Sequence, residues 1–259
     1  MSGTTETGGE HPAVLTEARD RILFITLNRP EAANSVNSAL GEGLLAAGRM
    51  LDERDDLTVG VLTGAGRGFC AGMDLKAFTK EGDPRGLEEF VQHGTAKPLI
   101  AAIEGFAVAG GLEIALTCDL LVAARGAKLG IPEVKVGLFA GGGGLLRLPR
   151  RLPYALAMEL ALTGDLIPAE RAHEYGMLAR LTEPGEALRE ATALAERIAA
   201  DSPLGVRWSK DMVRQMQGRT EAEFFAYQAP HLRRVLDSDD GREGATAFAE
   251  KRAPVWAGR

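Results

Sequence analysis

The chain has 259 residues, a formal charge of −6, 45% hydrophobic and 25% charged residues, which suits a globular chain with a sizeable core and excludes a fibre or a disordered polymer. An acidic balance argues against general nucleic-acid binding, which needs a basic face to displace counterions. Two cysteines and four scattered histidines argue against a disulfide framework or a metal site, and no apolar run approaches the roughly 20 residues of a membrane-spanning helix.

Met1 to Glu10 has Gly, Thr and Glu where a secretion signal needs a basic start and an apolar middle, so this stretch reads as a flexible tail on a cytoplasmic protein. Val14 to Glu17 and Ile22 to Asn28 form a predicted hairpin, broken by Arg29-Pro30. Asn34, Asn37 and Ser38 are candidate N-caps for a helix through about Leu51, and Asp52 to Asp56 reads as a loop. Val59 to Thr63 is a short buried strand feeding a glycine-rich loop from Gly64 to Lys76. Phe69 stands where G-x-G-x-x-G needs its third glycine, and no G-x-x-x-x-G-K-[ST] occurs, so neither nucleotide motif is present.

A helix is predicted over Leu87 to Ala96, a buried strand over Leu99 to Ile103, and a second over Asp119 to Ala124. Between those strands, Gly110 and Gly111 open a short apolar segment carrying Glu113, and Glu133 follows behind Pro132. Pro153 begins an apolar helix ended by Thr163-Gly164. Further helices are predicted over about 168–175, 186–200, 203–217, 221–236 and 241–251, with Ser202-Pro203 as N-cap and first helical residue and Thr220 with Glu223 as a capping box. The organisation expected is an α/β core over 11–195 after a tail at 1–10, with a helical region over 196–259.

A carboxylate in apolar or glycine-rich surroundings is costly, and Glu113 and Glu133 both have such surroundings. The N–H groups of Gly110 and Gly111, at a helix N-terminus, favour negative charge, and a second N–H from the Gly72-Met73 turn would complete an oxyanion hole. With no nucleophile motif in reach, that combination points to proton transfer beside a carbonyl. The plainer readings are Glu113 as a first-turn acid favoured by the helix dipole, Glu133 as an exposed loop residue, and Cys70 and Cys118 as small buried apolar side chains.

At these residues the sequence resembles the enoyl-CoA hydratase/isomerase (crotonase) superfamily. The resemblance runs through Ile100 to Leu120, with Ala109-Gly110-Gly111 and Glu113, and through Phe69-Cys70-Ala71-Gly72-Met73-Asp74-Leu75-Lys76; Thr163-Gly164-Asp165 and Glu250-Lys251-Arg252 also fit. It implies a spiral of ββα units with a helical C-terminal trimerisation region, as a trimer or a pair of trimers. It implies an acyl-CoA thioester substrate and no metal or redox cofactor. Backbone N–H groups of Met73 and Gly110 would bind the thioester oxygen, and Glu113 and Glu133 match the two glutamates of hydratases. Ala33, Ser35, Ala71, Asp74 and Leu75 fall where the family contacts coenzyme A, and Phe248 and Lys251 where it reaches the coenzyme A of a neighbouring subunit.

The activity this implies is hydration of a trans-2-enoyl-CoA to a 3-hydroxyacyl-CoA, with a Δ3,Δ2-enoyl-CoA isomerase and a non-catalytic acyl-CoA-binding protein as alternatives. Two departures from the family pattern concern the acyl group. Gly137-Leu138-Phe139-Ala140-Gly141-Gly142-Gly143-Gly144 lacks the usual proline, which is expected to loosen the loop, and Met73 replaces a common alanine.

Overall fold

The computed structural model describes residues 12–259, so the expected tail at 1–10 lies outside the described residues. Strands β1 (Val14–Arg19) and β2 (Ile22–Leu27) form the antiparallel hairpin, turning at Asp20 and Arg21, both at positive φ. Helix α1 (Ser38–Glu53) starts at Asn37, whose side chain accepts the Leu40 N–H at 3.0 Å. It continues into the acidic stretch expected as a loop, where Asp52 accepts the N–H groups of Ala96 and Lys97. Asn34 is not a cap: it is buried and ties Arg29 N–H to the carbonyls of Ala65 and Gly68.

Strand β3 (Val59–Gly64) leads into α2 (Leu75–Glu81), and α3 (Leu87–His93) ends three residues before the expected Ala96 because Gly94 turns to φ +63. Next come β4 (Leu99–Ile103), β5 (Phe106–Val108), α4 (Gly110–Thr117), β6 (Leu120–Ala124) and β7 (Lys128–Gly130). A 3-10 turn over Pro132–Val136 precedes α5 (Gly144–Arg147), and α6 (Tyr154–Thr163) follows. The last elements are β8 (Ile167–Pro168), α7 (Ala169–Glu174), β9 (Arg180–Thr182), α8 (Ala187–Ala199), α9 (Pro203–Gln215), α10 (Glu221–Leu236) and α11 (Asp239–Glu250).

The strands make a six-stranded sheet in the order β1-β2-β3-β4-β6-β9, parallel beyond the hairpin, and a second sheet in the order β5-β7-β8. Isolated parallel bridges, Val36 to Met73 and Cys70 to Ala107, carry the second sheet's pattern back through the earlier turns. From β4 on, a strand of the large sheet is followed by one of the small sheet, β4 by β5 and β6 by β7, with α4 between the pairs, which is the repeat of a spiral of ββα units. Both faces of the large sheet are covered: Leu23, Ile25, Ala101, Ile103 and Leu121 enter one core cluster, while Ile22, Val61, Ile100, Ala102 and Val122 enter another. Ala187, Ala191, Ala195 and Ala199 of α8 close the second cluster, their spacing of four setting one small-residue stripe on the sheet. The division expected at 195/196 therefore falls inside α8.

Beyond α8, α9 and α10 start as expected, with the Ser202 cap and the Thr220–Glu223 capping box both formed, while α11 starts two residues before the expected 241 because Ser238 caps it at the Gly241 N–H. Lys210 of α9 pairs with Asp119 at 2.7 Å, and Asp119 also accepts the Leu99 N–H, which pins α9 to the start of β4. Among the described residues no helix is long and apolar enough to cross a membrane.

Candidate active site

The two glycine turns meet. Val36 N–H donates to Gly72 C=O at 2.7 Å and Asp74 N–H to Val36 C=O at 2.9 Å, so the N–H of Met73 between them turns to the opposite side. On that side lies the start of α4. A Cβ built on Gly72 would stand 3.1 Å from Gly110 N, and one built on Gly110 would stand 3.7 Å from Met73 N. Gly110 is the first residue of α4, so its N–H has no acceptor within the helix. The residue before it, Ala109, sits at φ 52 and ψ −133, a conformation that L residues rarely adopt. Such strain persists only where the surroundings enforce it, and here Ala109 N–H donates to Gly130 C=O at 2.9 Å.

Glu113, in the first turn of α4, is buried at 6% exposure. Its Oε1 accepts the N–H of Gly144 at 2.9 Å. Burial pushes its carboxyl up, while backbone bonds from Gly144 and Gly142 and the charge of Arg147 work the other way; the net direction is upward. The four-glycine run makes this contact possible, because a Cβ on Gly142 would come within 2.6 Å of Glu113 Oε2. The loop expected to be loosened by its glycines is instead folded onto a carboxylate.

Glu133 begins the 3-10 turn behind Pro132 and is half-buried rather than an exposed loop residue. Burial comes first in pushing its carboxyl up to about 7, and the neighbouring Glu113 charge adds to it. Its Oε2 is buried with no hydrogen-bond partner among the described residues. One carboxyl titrating near neutrality beside another held by N–H donors is an arrangement that can exchange protons with a molecule lying between them.

The remaining expected site residues divide. Ala71 N–H donates to Ala33 C=O at 3.1 Å, which sets Ala33, Ser35, Ala71, Asp74 and Leu75 on two adjoining stretches beside Met73. Ala33 is left-handed at φ 52, and Leu75 is exposed. The Asp74 side chain is already committed: it caps α2 at the Ala77 N–H, 3.1 Å, and pairs with Arg29 at 3.1 Å. Burial pushes the Asp74 carboxyl up, but those two partners outweigh it and hold it low. Arg29 also donates to Ser35 C=O at 2.5 Å, clasping both stretches. Phe248, 87% exposed, and Lys251, left-handed at φ 55, lie at the C-terminal end of α11. Arg29, Gly142, Gly144 and Arg147 were not picked out as site residues from the sequence; four adjacent glycines were the available signal.

The sequence model of the enoyl-CoA hydratase/isomerase family matches residues 17–259. The chain is 40% identical to enoyl-CoA hydratase EchA19 of Mycobacterium tuberculosis, across 99% of each chain. It is 38% identical to the (E)-benzylidenesuccinyl-CoA hydratase of Thauera aromatica, across 95% of this chain and 99% of that one. The crystal structure of an enoyl-CoA hydratase from Mycobacterium tuberculosis H37Rv superposes with a TM-score of 0.92 at 55% identity, covering 96% of this chain and 100% of that one. The chain belongs to the crotonase superfamily, within which it is most like the enoyl-CoA hydratases, and has the crotonase α/β fold. The family implies an acyl-CoA thioester as substrate.

Proposed function

We propose that this protein is an enoyl-CoA hydratase, adding water reversibly and syn to a trans-2-enoyl-CoA to give a 3-hydroxyacyl-CoA. The observation that carries the reading is the pair Glu113 and Glu133, electrostatically coupled and lying on the segments that flank the Gly110 turn. The thioester oxygen lies between the N–H groups of Met73 and Gly110. Glu113 as carboxylate takes a proton from a water whose oxygen bonds to the β-carbon. The carbon–carbon π electrons move toward the thioester, whose oxyanion the two N–H groups hold, and Glu133 gives its proton to the α-carbon. Water and alkene are consumed in equal number and no oxidant or reductant enters, so the reaction needs no redox cofactor, and in this reading the two N–H groups hold the oxyanion without a metal.

In this reading Ala33, Ser35, Ala71, Asp74 and Leu75 meet the coenzyme A arm through backbone groups, the Asp74 carboxylate being engaged elsewhere. Phe248 and Lys251 reach the coenzyme A of a neighbouring subunit in a trimer or pair of trimers. Exposed Val213 on α9, Met216 just after it, and Phe225 and Leu236 on α10 support burial against further copies. A cytoplasmic location goes with the same reading.

The test follows loss of the conjugated enoyl-thioester absorbance over a series of acyl lengths and one aromatic acyl group, as the Thauera relative's name suggests. No turnover on any of them overturns the hydratase assignment; tight acyl-CoA binding without turnover would then mark a binding protein. Glu113→Gln and Glu133→Gln made separately distinguish an isomerase, which consumes no water and tolerates one of the two.

A further inference from the structure

Gly141 to Gly144 have no side chains with which to hold their own shape, yet Gly142 and Gly144 lie against the Glu113 carboxylate, and Gly144 N–H donates to its Oε1 at 2.9 Å. What holds them is Arg147, at the end of α5. Its Nη1 donates to Gly142 C=O at 3.3 Å, and its Nη2 donates to Val91 C=O in the last turn of α3. The guanidinium lies so close along the loop that a Cβ on Gly143, already at φ +97, would run into Nη1. The arginine is kept there against opposition: burial, Arg214, Arg151 and Arg150 all disfavour its charge, while the Glu113 charge favours it.

We propose that Arg147 is a positioning residue for Glu113, clamping the all-glycine turn to α3 so that the N–H groups of Gly142 and Gly144 keep the carboxylate aimed at the water. Arg147 bonds to the Gly142 and Val91 carbonyls, not to the Glu113 carboxylate, and so acts through the loop and through its field, which favours the ionised carboxylate. A planar fork that reaches two carbonyls on different elements fits this task better than the point charge of a lysine.

The activity arm of the test rests on the hydratase reading; the titration arm does not. Arg147→Gln and Arg147→Lys are compared with the parent by steady-state hydration kinetics and thermal melting. Glutamate labelled with 13C at the carboxyl carbon reports the titration of Glu113, assigned with Glu113→Gln. Arg147→Gln is expected to lose about 10- to 100-fold in kcat, the scale of a small misplacement of a reacting group, with KM changed by less than about threefold. Glu113 should titrate at higher pH in that variant. Arg147→Lys should restore the titration and only part of kcat. An unchanged kcat in Arg147→Gln overturns the proposal, as does a fall in kcat that follows the loss of folded protein while Glu113 titrates as in the parent. If the parent hydrates no enoyl-CoA, the hydratase reading falls, and the titration alone decides: an upward move supports the clamp, and none overturns it.

Discussion

Gly110→Ala separates what the oxyanion pocket does for activity from what it does for the fold. Gly110 is the first helical residue and is not at positive φ, and an added Cβ would meet nothing closer than 3.7 Å, at Gly72 Cα and Met73 N. The fold therefore accepts the methyl, and removing a helical glycine stabilises by roughly 0.5–1 kcal/mol. An oxygen accepting from both N–H groups must sit about 2.9 Å from each nitrogen, and the methyl crowds that position from the Gly110 side. Displacing it from one donor costs roughly 2.7–4 kcal/mol, or 10²–10³ in kcat. The variant should melt at or slightly above the parent temperature while hydrating enoyl-CoA at least about a hundredfold more slowly. Turnover within about threefold of the parent would refute the pocket, and a melt lowered by several degrees would refute the steric reasoning. Gly111→Ala is the counterpart: its Cβ would collide with the Cys70 carbonyl, so this neighbour should lose folded protein rather than activity alone.

Glu113→Gln and Glu133→Gln should each lower hydration by about 10²–10⁴-fold, read by the absorbance assay, and comparable activity in either would remove that residue from the proton path. Both directions of reaction need the pair to hold one proton, so kcat/KM for hydration and for dehydration should share one pH profile that falls above about 7, where Glu133 ionises. Because folding raises the Glu133 carboxyl from 4.5 to about 7, its charge costs stability that is absent below 4.5, grows between the two values and is complete above 7. Glu133→Gln should therefore stabilise at pH 8 by about 1–2 kcal/mol after allowing for solvent screening of a half-buried group, with most of the gain gone at pH 5; urea titrations at both pH values would show an equal gain at each if the reasoning were wrong. Gly142→Ala brings a Cβ to 2.6 Å from Glu113 Oε2 and should reduce kcat by about 10- to 100-fold, measured beside a melt that shows the chain still folded.

Local chemistry determined much of the molecule. The strands at 99–103 and 120–124, the helix opening at Gly110 with Glu113 in its first turn, and the caps at Ser202 and Thr220 all follow from neighbours a few positions apart. Interactions of that range are written in contiguous sequence, and the family motifs at Phe69 to Lys76 and Ile100 to Leu120 sit on them. Only the tertiary structure decided the rest. The three-residue strands β5, β7 and β9 are too short to show a period, and they exist because neighbouring strands supply their hydrogen bonds. Met73 faces Gly110 because Val36 and Ala107 pair with the chain around Cys70 and Met73, contacts between distant segments that no local propensity encodes. The same holds for the carboxylates: the fold put Glu113 under the N–H groups of a glycine run and left Glu133 Oε2 buried with no hydrogen-bond partner among the described residues. Burial and proximity set those two protonation states, and both are properties of the folded chain.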